Sequence, residues 1–133
     1  MRLSVLVLPV ILAFPRVGLA EQTVDCDNAL TTLDMRTCAH QDFVVADKEL
    51  NADYQRALSA MQDLDVLLPN DLAQGEDTLR RAQRAWLTYR DLACEAQGYI
   101  VRGGSLEPII VTHCREDMTR QRSEYLRLIW AEN

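Results

Sequence analysis

Four cysteines, Cys26, Cys38, Cys94 and Cys114, are the residues of this chain best placed to do chemistry. An even number in a short chain reads as a disulfide framework formed in an oxidising compartment, rather than as a set of working thiols. Two histidines lie beside them, in Cys38-Ala39-His40 and His113-Cys114. A zinc site could be drawn from these residues, but their spacing is not that of paired ligand knuckles, so no metal and no other cofactor is expected. No Gly-x-Ser-x-Gly elbow, phosphate loop or dinucleotide fingerprint is present. Acidic side chains are so plentiful that choosing a glycosidase pair among them would be arbitrary. No catalytic residue is assigned, and the chain reads as a binding protein rather than an enzyme.

The compartment is legible at the start of the chain. Met1-Arg2 is a short basic opening, Leu3 to Phe14 is apolar apart from Ser4 and Pro9, and Gly18 and Ala20 stand at the −3 and −1 positions before Glu21. This is the layout of a secretory signal peptide, and the apolar run is too short to span a bilayer. The expected division is a signal peptide at 1–20 and a single helical domain at 21–133. The mature protein is then periplasmic or secreted, with no stable membrane insertion, and no cysteine at the cut to carry a lipid. A domain of that size supports one core.

Without Arg2 and Arg16 the remaining chain holds 12 Lys and Arg against 20 Asp and Glu, a net charge of −8. The whole imbalance lies in residues 21–71, where eleven acids face Arg36, Lys48 and Arg56; residues 72–133 balance nine acids with nine arginines. Such a charge disfavours nucleic acid and anionic membrane and favours a basic partner, besides keeping an exported protein soluble.

The elements that must carry these residues are helices. Phe43, Ala46, Leu50, Tyr54, Ala57, Met61 and Leu64 recur at steps of three or four. Leu79, Ala82, Trp86, Tyr89 and Ala93 do the same, as do Val111, Cys114, Met118, Gln121, Tyr125 and Leu128. Each set lies along one side of a helix, and no alternating β-branched run competes with them. The predicted fold is all-α, a small antiparallel three-helix bundle stapled by two disulfides. Thr31 with Asp34 forms a short-armed capping box, so the first helix is expected to start near Thr32. Pro69-Asn70-Asp71 ends it, and Gly75 places the regular part of the second helix after that glycine. Gly98 and Arg102-Gly103-Gly104-Ser105 separate the second helix from the third, which Ser105 is expected to cap with Pro108 in its first turn. Tyr54, Trp86 and Tyr89 read as core aromatics.

Taken in order, the motifs form a pattern. Thr31-x-x-Asp34-Met35-x-x-Cys38 is followed by Ala46-Asp47-x-x-Leu50-Asn51-x-x-Tyr54. Then come Ala82-Gln83-Arg84-Ala85-Trp86-Leu87-x-Tyr89-Arg90-Asp91-x-x-Cys94, Gly103-Gly104-Ser105, and finally Cys114, Thr119, Arg122 and Leu126. This set resembles the N-terminal domain of the LprI-type lysozyme inhibitor family, small exported bacterial helical proteins named for a member that inhibits lysozyme. The likeness runs from about Cys26 to Leu128, and the block from Ala82 to Cys94 is its most specific part. It implies a protein partner, in the first instance a basic lysozyme or a related wall-cleaving enzyme. The alternative is a periplasmic binding or adaptor module with a partner other than lysozyme.

Two groups of residues are candidates for roles in such a protein. Asp47, Asn51, Gln83, Arg90 and Arg122 lie beside the apolar seams, where polar groups are tolerable only if they satisfy one another. They are expected to form a structural network, with Asp47 paired to Arg90 or Arg122 and Asn51 or Gln83 bonded to backbone. Arg102, Gly103, Gly104, Ser105 and Glu107 form the candidate partner-binding loop, where adjacent glycines allow close backbone approach and the side chains offer polar contacts. The same segment also serves as a tight turn before a helix cap. Of three possible disulfide connectivities, Cys26–Cys38 and Cys94–Cys114 is preferred because each links adjacent segments, and the second would brace this loop.

Overall fold

A computed structural model describes residues 24–131, so the expected signal peptide lies outside the described residues. Three α-helices dominate, α1 (Thr32–Leu67), α2 (Gly75–Gly98) and α3 (Glu107–Ala131), with 3-10 turns at Cys26–Asn28 and Tyr99–Val101. No strand occurs among the described residues. Contacts between α1 and α3 advance together along both helices, from Glu49 with Arg120 to Asp53 with Arg127, so these helices run parallel. Contacts of α2 with α3 run the other way, from Gln83 with Arg122 to Arg90 with Thr119 and Cys94 with Cys114. The result is an up-down-up bundle closed by Cys26–Cys38 and Cys94–Cys114, with Cα separations of 5.6 and 5.4 Å.

Local chemistry sets the ends. At the start of α1, the Thr31 hydroxyl accepts from the Asp34 N–H at 3.1 Å, and the Asp34 carboxylate accepts from the Thr31 N–H at 3.3 Å. This reciprocal pair satisfies two N–H groups of the first turn. Helix α1 stops at Leu67, two residues ahead of Pro69, and the Pro69 carbonyl accepts from the Leu72 and Ala73 N–H groups in the following turn. Helix α2 begins at Gly75 itself rather than after it. The cause is Asp65 of α1, whose carboxylate accepts from the N–H groups of Gly75 (2.8 Å) and Glu76 (2.9 Å). A Cβ at Gly75 would stand 3.0 Å from Met61 Sδ and 3.1 Å from Asp65 Oδ1, so the capping carboxylate packs closely against this glycine.

Ser105 does not cap α3. The Leu106 carbonyl accepts the first helical bond, from the Ile110 N–H at 3.0 Å, and the helix begins at Glu107 with Pro108 in its first turn. Gly98 closes α2, and a Cβ there would stand 2.5 Å from Val111 Cγ2, so this glycine permits α3 to pass close by.

The core is formed by Leu50, Ala57, Leu58, Leu79 and Leu126, with Tyr54, Met61, Trp86, Ile129 and Trp130 packed against it. The α1 stripe read from the sequence faces this core, with Ala46, Leu50 and Ala57 buried. The other two stripes divide. On α2 the buried line is Leu79, Gln83, Arg90, Cys94 and Gly98, with Trp86 partly covered. Ala82 and Tyr89 face out, and Tyr89, expected in the core, is 64% exposed. On α3 the buried line is Ile109, Cys114, Thr119, Ser123 and Leu126, which leaves Tyr125 and Leu128 on the surface. The physical reason is shared. Polar Gln83, Arg90, Thr119 and Ser123 occupy inward positions that apolar periodicity weighs against burial. Arg122 satisfies Gln83, and Arg90 and Thr119 satisfy each other, whereas the buried Ser123 hydroxyl has no hydrogen-bond partner among the described residues.

Candidate partner-binding site

The loop between α2 and α3 sits at the end of the bundle that carries both disulfides. Cys94–Cys114 ties the helices on either side of it, and both sulfurs are buried. The chain leaves α2 through the 3-10 turn Tyr99–Val101 and reverses at Gly103, whose φ of +79° is the only positive value among the described residues. That region disfavours any residue with a Cβ, and glycine enters it freely. Two backbone bonds close the turn, Gly104 N–H to the Val101 carbonyl (2.9 Å) and Glu107 N–H to the Gly104 carbonyl (3.2 Å).

Glu107 holds the loop in place. One carboxylate oxygen accepts from the Gly103 N–H at 2.7 Å and the other from Arg102 at 2.9 Å. The Arg102 guanidinium lies 4.6 Å from the centre of the Tyr99 ring and 3.8 Å from Glu95. Outward from this brace the loop is open, since no atom lies within 4 Å of a Cβ built at Gly103. Apolar side chains flank it, with Ile100 86% exposed and Tyr99 and Leu106 also on the surface. Beside it, a groove of about 420 Å³ runs between Leu33, Arg36, Thr37 and His40 of α1 and Pro108 and Thr112 of α3. Arg102, Gly103, Gly104, Ser105 and Glu107 are thus gathered in one turn, which Glu107 braces through Arg102 and Gly103. Tyr99, Ile100 and Leu106, which the sequence reading did not single out, supply its apolar surroundings.

Behind the loop lies the polar seam. Arg90 is nearly buried, pairs with Asp91 at 3.0 Å and Asp47 at 3.7 Å, and donates to the Thr119 hydroxyl at 3.3 Å. Its guanidinium also lies over Phe43 and Trp86, at 5.4 and 5.2 Å. Asn51 donates to Asp47 at 3.0 Å, and Arg122 donates to Gln83 Oε1 at 3.0 Å. Asn51 and Gln83 therefore find side chains where backbone groups were expected, and Arg122 goes to Gln83 rather than to Asp47. Burial pulls the Arg122 guanidinium below its ordinary value. Arg90 joins α2 to α1 and α3, and Arg122 joins α3 to α2, whereas the exposed Asn51 reaches only Asp47 on its own helix; none of the five lines the loop.

A second buried charge, Asp53, lies on α1 outside the residues that the motifs single out. Asp53 is 2% exposed and pairs with Arg127 at 2.8 Å and Arg56 at 3.5 Å. Its signal was available, because Asp53 stands three residues after Leu50 and four before Ala57 on the buried side of α1. Among the described residues no group of His, Cys, Asp and Glu is arranged to hold a metal ion, and no helix is long and apolar enough to cross a membrane.

An uncharacterized protein of Rhizobium meliloti (strain 1021) is 42% identical over 106 residues, covering 77% of this chain and 76% of that protein. No solved structure gives a significant match. The family model described as lysozyme inhibitor LprI matches residues 26–126, from the first disulfide cysteine to the buried Leu126 of α3. With α1, α2, most of α3, both disulfides and the braced loop inside that match, the chain belongs to the LprI lysozyme inhibitor family.

Proposed function

We propose that this protein is exported, loses residues 1–20, and binds and inhibits a lysozyme or a related wall-cleaving enzyme in the periplasm or outside the cell. Family membership supports an inhibitor rather than a catalyst, and two disulfides suit an oxidising compartment. The single observation that carries the reading is the braced loop. Gly103 and Gly104 offer bare backbone, Arg102 offers a cation, and Tyr99, Ile100 and Leu106 offer apolar area around them.

Glycoside-cleaving enzymes of this kind work with carboxylates in a sugar cleft. A narrow, pre-ordered turn bearing an arginine is complementary to such a cleft, and its rigidity lowers the ordering cost of binding. The acid surplus in the first half of the chain would steer a basic enzyme toward it. Asp47, Asn51, Gln83, Arg90 and Arg122 then serve to fix the helix register on which the loop stands, without touching the partner.

Titration of the mature, disulfide-bonded protein into a turbidity assay with lysozymes of each class tests the reading. Saturable, stoichiometric loss of lysis is expected, weakened by Ile100→Asp and Arg102→Glu. Absence of inhibition of every class at high molar excess would remove it. A specific non-lysozyme partner recovered from periplasm would favour the adaptor alternative.

A further inference from the structure

The outer side of α2 carries an apolar row that nothing in the described residues covers. Thr78, Ala82, Ala85, Tyr89, Leu92 and Ala96 follow at alternating steps of four and three, all exposed, with Tyr89 at 64% and Leu92 at 61%. Steps of four and three are the spacing by which one helix meets another along a seam. The row is also ordered along its length. Small side chains occupy its first half, at Thr78, Ala82 and Ala85, and large ones follow at Tyr89 and Leu92. The flanking row has the same polarity in charge, with Arg81 before Thr88 and Glu95 after it, and both charged side chains are more than half exposed.

A surface whose two halves complement each other, small against large and positive against negative, fits an inverted copy of itself. We propose that this face of α2 pairs with the same face of a second copy of the chain, antiparallel about a two-fold axis near residues 87 and 88. In that register Ala82 meets the partner's Leu92 and Ala85 meets the partner's Tyr89, so small meets large through the centre of the row, while Thr78 meets the partner's Ala96 at its ends. Arg81 stands opposite the partner's Glu95, and both leave exposed intrahelical or loop pairs, with Asp77 and Arg102, that hold them weakly. The row from Thr78 to Ala96 is about 27 Å long at 1.5 Å per residue. Helix α3 widens the face. Ala82 lines one groove with Arg122 and Ile129, and Tyr125, one turn from each of these, is 66% exposed. An isologous contact of this kind closes at two copies. It leaves the loops that follow α2 at opposite ends of the pair, so each copy presents its own.

Sedimentation velocity of the mature, disulfide-bonded protein, from about 1 µM to about 1 mM, tests the proposal. A reversible monomer–dimer equilibrium is expected, with no larger species. Tyr89→Glu with Leu92→Glu should raise the dissociation constant at least about a hundredfold, with circular dichroism showing the helices intact. Arg81→Glu alone should weaken the dimer, and adding Glu95→Arg to the same chain should restore it, because the swap rebuilds both cross-pairs. A protein that stays monomeric at the highest concentration overturns the proposal, as does a dimer indifferent to the Tyr89/Leu92 change. Failure of the double charge swap to restore association overturns the antiparallel register. If Tyr89→Glu instead abolishes enzyme inhibition while the protein remains monomeric throughout, the face belongs to the enzyme and self-pairing is wrong.

Discussion

Glu107 accepts a hydrogen bond from the backbone N–H of Gly103 at 2.7 Å, so the first residue of α3 pins the single left-handed residue of the connecting loop. The same carboxylate holds Arg102, which makes one side chain responsible for both the turn and its cation. Removing it should loosen the loop without harming the bundle. Glu107→Ala is expected to lower stability by about 1 kcal/mol while speeding amide exchange at Gly103 and Gly104. Inhibition, measured by the turbidity titration, should weaken in step with that exchange, and Glu107→Gln should recover part of both. Unchanged exchange at Gly103 would show that the brace is not needed.

The two disulfides should not contribute equally. Cys94–Cys114 closes 20 residues of sequence with both sulfurs buried, whereas Cys26–Cys38 closes 12 and Cys26 is exposed. Chain entropy alone predicts about 3 kcal/mol for each. Replacing the buried pair with Ser also puts two hydroxyls into the core, so C94S/C114S is expected to lower the thermal midpoint well below C26S/C38S. Calorimetry of the two double variants checks the order.

Asp65 caps α2 from the neighbouring helix. Its carboxylate takes two N–H groups of the first turn and also faces the positive end of the helix dipole. Asp65→Ala should cost about 1–2 kcal/mol in urea denaturation. Inhibition by the folded protein should be unaffected, because this cap lies at the end of the bundle away from the loop.

The Asp53–Arg127 pair gives a test in which burial decides which partner matters. Asp53 is buried and Arg127 half exposed, so an arginine left alone hydrates, while a carboxylate left alone cannot. Arg127→Ala leaves Asp53 with only Arg56 at 3.5 Å and should cost about 2–3 kcal/mol. Asp53→Asn, of similar shape and uncharged, should cost less. Equal losses in chemical denaturation would mean that the charge on Asp53 reaches water.

The sequence by itself determined the number of helices and the start of α1, and it favoured the disulfide pairing that the structure shows. Each of these rests on interactions short in sequence: the Thr31–Asp34 box spans three residues, Pro69 blocks a helix locally, and each cysteine pair joins neighbouring segments. The motif from Ala82 to Cys94 carried the family, and the family carried the expectation of a protein partner. Only the tertiary structure decided which side of each helix is the inside. Gln83 and Arg90 took the inward line of α2 because Arg122, Thr119 and Asp47, from other helices, satisfy them there. Tyr89 was thereby turned to the surface. In the same way, Gly75 became the first residue of α2 because Asp65, ten positions earlier, reaches its N–H. A polar residue's preference for burial depends on partners that arrive from distant parts of the chain, and hydrophobic spacing along one helix holds no record of them.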